Sequence, residues 1–163
     1  MTKILFFCSP IGLGHATRDL AIINQMELES CKIFSGSSAI QFFQRNDIEA
    51  NDVYSPPKFE VQNGKLEKSL KWLWSYYKYY KNCKEISNDI IRKEEPELII
   101  SDEDFASIAV AQEQGIPNIV ITDILETKFT SGFGAIVEKK MNKTMQEMLQ
   151  KANRVIIPES GTN

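Results

Sequence analysis

One histidine, His15, stands in this chain of 163 residues. It lies in the segment whose residue types most clearly invite chemistry, Pro10–Asp19, with the sequence PIGLGHATRD. Gly12 and Gly14 carry no Cβ, so the backbone can turn sharply there and come close to a ligand. If a helix starts at this turn, its first N–H groups are unpaired and favour an anionic group such as a phosphate. The same field disfavours an imidazolium, so a neutral His15 is expected, and a neutral imidazole beside an anion-binding turn can serve as a general base. The plainer alternative is that His15 only caps or packs the turn. Known nucleotide motifs are not met. A P-loop needs a Lys after its last glycine, and the dinucleotide fingerprint needs glycine where Thr17 stands. The next apolar run closes in Phe34-Ser35-Gly36, without the acid that would hold a ribose. These departures argue against an NAD or ATP site.

A second concentration of unusual residues is aromatic. Residues 71–81 hold both tryptophans and four of the five tyrosines. At helical spacing they make two stripes: Leu66, Leu70, Leu73, Tyr77 and Tyr80 suit a core face, and Trp72, Tyr76, Tyr79 and Cys83 make another. The core accounts for one face. The second is expected to meet a missing domain, a second copy, an acceptor or a membrane surface, or simply to pack half-buried. Lysines support the surface readings, since residues 58–93 carry nine Lys/Arg against four acids in a chain of net charge −3. A solvated, Lys-rich helix is the competing account.

The elements that position these residues follow from periodicity. Short apolar runs predict strands over 3–9, 32–36, 52–55, 97–101, 117–122 and 154–157. Between them, helices are expected over 14–29, 39–45, 66–94, 105–114 and 134–151. The first is read with Leu20, Ile23 and Met26 inward, the last with Ile136, Val137, Met141, Met145 and Leu149 on one face. Regular alternation of strand and helix predicts an α/β domain over 1–157, a Rossmann-like, mostly parallel sheet with helices on both faces, and a polar linker or tail over 158–163. In such sheets ligands meet the carboxyl ends of the strands. That rule selects the loops 9–18, 36–38, 101–105 and 122–134.

Composition bounds the rest. With 42% hydrophobic and 25% charged residues the chain is neither disordered nor membrane-embedded in type. Its net negative charge disfavours nucleic acid as a partner. Cys8, Cys31 and Cys83 are too widely spaced for a disulfide framework or a metal pair. No metal-ligand cluster is visible, and no run of about 20 apolar residues could span a bilayer. A reduced, cytoplasmic domain is the expectation.

The segment G-x-G-H-A-T-R-D-L-A-I after a first buried strand resembles the amino-terminal domain of GT-B glycosyltransferases of the MurG type. Four further segments resemble that domain in the same order: residues 34–43 (FSGSSAIQFF), 96–102 (PELIISD), 109–117 (AVAQEQGIP) and 152–158 (ANRVIIP). The resemblance covers nearly the whole chain. It implies that this is the acceptor-binding domain of an inverting transferase, which moves a sugar from a nucleotide-sugar, a UDP-sugar above all, to a hydroxyl acceptor that is lipid-linked in some members. It implies no cofactor and no metal. The donor-binding carboxy-terminal domain would lie outside this sequence or in a partner subunit, and the chain alone would be inactive. Contact with the inner face of a membrane fits a lipid-linked acceptor.

By the same resemblance His15 is the catalytic base and Asp102 its orienting partner. Glu103 and Asp104 stand next to Asp102 and are alternatives for either role, or the three acids are a loop capping the next helix. Gly12, Gly14, Thr17, Arg18, Ser37, Glu103 and Asp123 are the expected acceptor- or phosphate-binding residues. Trp72, Tyr76 and Tyr79 are the expected membrane or partner contact. Two departures leave the acceptor open: the acidic Ser101-Asp-Glu-Asp104 replaces a glycine-rich loop, and Asp123-Ile-Leu-Glu126 replaces an amide-rich one. Two other functions remain: a non-enzymatic glycan- or lipid-binding module, including a subunit of a split transferase, and half of a sugar-nucleotide 2-epimerase. The single histidine weighs against the epimerase.

Overall fold

The computed structural model describes residues 2–26, 28–58, 61–62, 65–66, 69–127 and 133–158. In chain order its elements are β1 (Ile4–Phe7), α1 (Leu13–Ile23), β2 (Cys31–Gly36), α2 (Ser37–Arg45), β3 (Ala50–Tyr54), β4 (Val61–Gln62), β5 (Lys65–Leu66), α3 (Ser69–Glu94), β6 (Leu98–Asp102), α4 (Phe105–Glu113), β7 (Asn118–Ile121), α5 (Phe133–Lys151) and β8 (Arg154–Ile156). Six of the strands form one sheet in the order β3-β2-β1-β6-β7-β8. Every pairing in it is parallel. β4 and β5 make a separate antiparallel pair.

The chain therefore builds outward from β1 to β3, returns to the other side of β1 as β6, and builds outward again to β8. Strand order reverses between β1 and β6. In a sheet wound this way the loops leaving those two strands diverge and open a crevice at their carboxyl ends. This is the Rossmann-like architecture expected from the alternation.

Burial on both faces explains the uninterrupted apolar runs. Along β1, Leu5 and Phe7 enter a layer under α3 and α4 with Ile91, Ile99, Ile108 and Val120. Phe6 and Cys8 point the other way, onto Ala16, Ile23, Ala39 and Phe43 of α1 and α2. Successive side chains of a strand alternate, so a strand covered on both faces must be apolar at every position. Gly36 has a different constraint: a Cβ there would lie 1.8 Å from the Tyr54 carbonyl oxygen, so β2 and β3 meet closely only because that position has no side chain.

Several boundaries differ from expectation. α1 stops at Ile23, with Asn24 as its cap, and a 3-10 turn over Leu28–Ser30 replaces the rest of the expected helix. Residue 66 belongs to β5, and α3 begins at Ser69. On α5 the inward residues are Glu138, Met145 and Met148, while Ile136 and Val137 are exposed. Ile136 lies nine positions before Met145, about two and a half turns, and so on the opposite side of the helix.

The aromatic helix also turns differently. Tyr79, Tyr80, Ile86 and Ile90 pack with buried Cys83 and Ile91 against the core. Trp72 stacks on Tyr76 with ring centroids 5.0 Å apart, and Tyr76 meets Tyr79 at 5.9 Å. Tyr79 in turn packs edge-on to Tyr54 of β3. The stripe Trp72, Tyr76, Tyr79 and Cys83, expected either to meet an outside partner or to pack half-buried, has its three rings half-buried and Cys83 in the core. Tyr77, expected in the core, is exposed together with Trp74. The carboxyl half of α3 sets this rotation, because Cys83, Ser87 and Ile91 are buried at i, i+4, i+8 spacing and carry the stripe back through Tyr79 and Tyr76. The side chains of Leu66, Leu70 and Leu73 lie outside the described residues.

Candidate active site at the carboxyl ends of β1 and β6

The turn after β1 is held from beneath. Ser35 of β2 donates its hydroxyl to the Cys8 carbonyl at 3.1 Å. Gly12 takes φ 88° as the N-cap of α1, a left-handed conformation that favours glycine. A Cβ on Gly12 would also lie 3.4 Å from the His15 ring, whereas one on Gly14 would meet open space. Helix α1 begins at Leu13, so His15 is in its first turn and Arg18 follows one turn later on the same side.

β6 brings the partner. Phe7 of β1 is in register with Ser101, so Asp102 ends β6 beside the departing β1 chain, and it is fully buried. His15 Nδ1 lies 3.4 Å from both Asp102 oxygens. The Arg18 guanidinium grips the same carboxylate two-pronged, Nε to Oδ2 at 3.2 Å and Nη2 to Oδ1 at 2.6 Å. Its Nη2 also lies 2.9 Å from His15 Nδ1, and its Nη1 is 3.6 Å from Asp123.

Glu103 closes the other side of the ring, Oε2 to His15 Nε2 at 3.4 Å. It does so from a left-handed backbone, φ 55°. That geometry is tied down on both sides, by Glu103 N–H donating to the Ile121 carbonyl and by Asp104 N–H donating to Ser101 Oγ. Glu103 Oε1 accepts from the Thr122 hydroxyl and the Asp123 N–H at 3.2 and 3.3 Å. Asp104 does other work: it accepts from the Ala106 N–H as the cap of α4 and from the buried Tyr54 hydroxyl at 2.9 Å. The acidic triplet is therefore divided, one carboxylate capping a helix and two bracketing an imidazole.

Protonation follows from these contacts. Burial raises the Asp102 carboxyl, but hydrogen bonds from His15, Arg18 and Asp19 outweigh it and hold the group below its ordinary value. His15 is shifted upward, chiefly by the Asp102 hydrogen bond, against burial and with Glu103 adding to the rise. The ring thus holds its proton more tightly than an ordinary histidine, the two carboxylates acting in the direction opposite to the neutral state expected from the helix terminus. Both states have a place here. A neutral ring protonated on Nδ1 can donate to Asp102 and leaves Nε2 free to accept a proton, and an imidazolium can donate to Asp102 and Glu103. Glu103 is raised by burial and by the neighbouring Asp123 carboxyl.

The structure thus gathers five of the sequence-selected residues, His15, Arg18, Asp102, Glu103 and Asp123, with Gly12 and Gly14 shaping the turn. Thr17 donates its hydroxyl to the Leu13 carbonyl at 2.8 Å, within α1. Ser37 is exposed at the start of α2, at the same end of the sheet, with φ 53°. Trp72, Tyr76 and Tyr79 belong to α3, on the sheet face opposite α1. One residue was missed. Asp19 is fully buried between Ala16 and Ile23 on the inward side of α1. The signal available was an acid at i+3 from one inward residue and i−4 from another. Among the described residues no group of three His, Cys, Asp or Glu side chains is disposed to hold a metal ion.

No family model and no curated protein sequence matches the chain. Solved structures do. MurG of Acinetobacter baumannii is 13% identical with TM-score 0.55, over 99% of this chain and 42% of its own. UGT73P12 of Glycyrrhiza uralensis, complexed with glycyrrhetinic acid 3-O-monoglucuronide, is 14% identical with TM-score 0.62, over 98% and 44%. The UDP-GlcNAc 2-epimerase of Neisseria meningitidis, bound to UDP-GlcNAc, is 14% identical with TM-score 0.62, over 96% and 40%. The chain spans about two-fifths of the length of each, and identities this low speak to fold alone. This protein has the α/β fold of one half of a GT-B glycosyltransferase.

Proposed function

We propose that this chain is the acceptor-binding half of an inverting glycosyltransferase that uses a nucleotide-sugar donor, a UDP-sugar, and a hydroxyl acceptor. The observation that carries the reading is the His15–Asp102 pair at the point where strand order reverses, with Arg18 fixing the carboxylate. In the proposed step the acceptor hydroxyl approaches His15 Nε2 and gives it a proton. The oxygen attacks the anomeric carbon and the nucleoside diphosphate departs. Asp102 stabilises the imidazolium that forms. Glu103 faces Nε2 in the present arrangement, so the incoming hydroxyl inserts between them and is held by both.

His15→Ala in the enzyme containing this chain tests the reading. The expected loss in kcat is about 100-fold or more with folding retained, and unchanged turnover would sink it.

The 2-epimerase reading has one observation in its favour, the concentration of Glu103 and Asp123 beside the histidine. Incubation with UDP-GlcNAc and no acceptor separates the two, since an epimerase produces the 2-epimer and a transferase does not. A binding module would show acceptor affinity that His15→Ala leaves intact, with no turnover in either protein. The reading includes a cytoplasmic protein touching the inner face of a membrane, where a lipid-linked acceptor would reside. Among the described residues no helix is long and apolar enough to cross one.

A further inference from the structure

One buried ionisable group is left unused by the site above. Asp19 has no exposed surface, and neither of its carboxyl oxygens accepts from an N–H or hydroxyl donor. The groups that act on it are Asp102 at the end of β6, the Cys8 thiol after β1 and Arg18 on its own helix. Cys8 is itself buried, with Cys31 of β2 beside it. Arg18 gives its Nε and Nη2 donors to Asp102. An ionised carboxylate enclosed between a helix and a sheet carries a desolvation penalty that the Cys8 thiol and Arg18 only partly offset, so the group is held as the acid.

We propose that Asp19, as an un-ionised acid behind Asp102, is a positioning residue for His15: it shares its proton with the Asp102 carboxylate and limits the negative charge beneath the ring to one. A second charge there would hold the imidazole permanently protonated and unable to accept a proton from anything else. With the proton in place, Asp102 receives hydrogen bonds from three sides, His15, Arg18 and Asp19, and stays ionised and fixed. Burial and the Asp102 charge carry the Asp19 carboxyl up to about 9. The acid therefore keeps its proton through neutral pH. The catalytic part of this inference rests on His15 being the base; the electrostatic part does not.

Because His15 is the only histidine, its ring gives a single, assignable NMR signal. Its carbon and nitrogen shifts are followed from about pH 4 to about pH 11 in the 163-residue chain. Two inflections are expected: the ring's own, and a smaller one near 9 as Asp19 ionises. Asp19→Asn, which keeps the shape and a donor, should retain the first and lose the second. A wild-type ring with one inflection overturns the inference. So does a second inflection that persists in Asp19→Asn, which would belong to a thiol such as Cys8 or Cys31. Should the variant fail to fold, the Asp19 carboxyl carbon of the wild type decides: titration in the ordinary carboxylate range overturns the inference, and titration near 9 supports it. If His15→Ala leaves turnover unchanged while the second inflection is present, the catalytic reading falls and the charge arrangement stands.

Discussion

At the scale of single residues, His15 lies between two carboxylates and one guanidinium, and the balance among them sets when it can act. Asp102 and Glu103 both favour the imidazolium, and Arg18 opposes it. A base must be empty to accept a proton, so the acid limb of the rate profile should lie above the ordinary histidine value of about 6.5. Glu103→Gln removes one of the charges that hold the proton. The acid limb of kcat/KM should then move to lower pH, with kcat on the plateau reduced because the acceptor loses one of its two contacts. A pH–rate profile of the variant checks both, and an unmoved limb would mean that Glu103 does not act on the ring in the working enzyme. His15 was legible in the sequence because a lone histidine in a glycine turn is conspicuous. Glu103 was legible only as one of three neighbouring acids. What separates it from Asp104 is a left-handed backbone at Glu103 itself, which turns one carboxylate to the ring and the next to the helix cap. Such a choice depends on Tyr54, Ser101 and Ile121, which are distant or buried partners that no local pattern reveals.

At the scale of elements, β1, β6 and β7 were readable because strands buried on both faces carry short, nearly unbroken apolar runs. Helices were harder, since propensity gives their existence and packing gives their rotation. On α3 every candidate stripe contained aromatic rings, and the buried Cys83, Ser87 and Ile91 decided among them from outside the aromatic segment. The outcome leaves Trp74 and Tyr77 exposed, stacked at 5.9 Å. Lys78 Nζ lies 5.5 Å from the centre of the Trp74 ring, and Lys81 Nζ 5.0 Å from that of Tyr77. Rings flanked by lysines suit the boundary between headgroups and acyl chains of an anionic membrane. Co-sedimentation with vesicles of phosphatidylcholine, with and without phosphatidylglycerol, checks this. Binding is expected only with the anionic lipid and should weaken as salt is added. A double change, Lys78→Gln with Lys81→Gln, should cost about 2 kcal/mol, roughly thirtyfold in partitioning. Equal binding to neutral vesicles, or none to anionic ones at low salt, would remove the membrane from the account.

At the scale of the whole molecule, the fold supplies a crevice at the carboxyl ends of β1 and β6. The helices cover both faces of the sheet, and each face has its own buried cluster, so the chain should fold without help. Its site end holds a histidine bracketed by Asp102 and Glu103, with Asp123 beside them, a set that under the proposed function suits a hydroxyl acceptor. Three carboxylates against one guanidinium do not suit a nucleoside diphosphate, which needs donors and positive charge around its phosphates. The solved structures that share the fold are more than twice as long, and this chain matches 40–44% of the three described above. Under the proposed function, donor binding then belongs to a second half. Two measurements on the 163-residue chain follow. Urea unfolding followed by Trp fluorescence should show one cooperative transition. Incubation with UDP-sugars and hydroxyl acceptors should give no transfer and no hydrolysis, and joining a donor-binding half in the same chain should restore transfer that depends on His15. Cooperative folding with no turnover is the pattern of an acceptor half. Transfer by the chain alone would place the donor site on this domain and overturn the division of labour proposed for it.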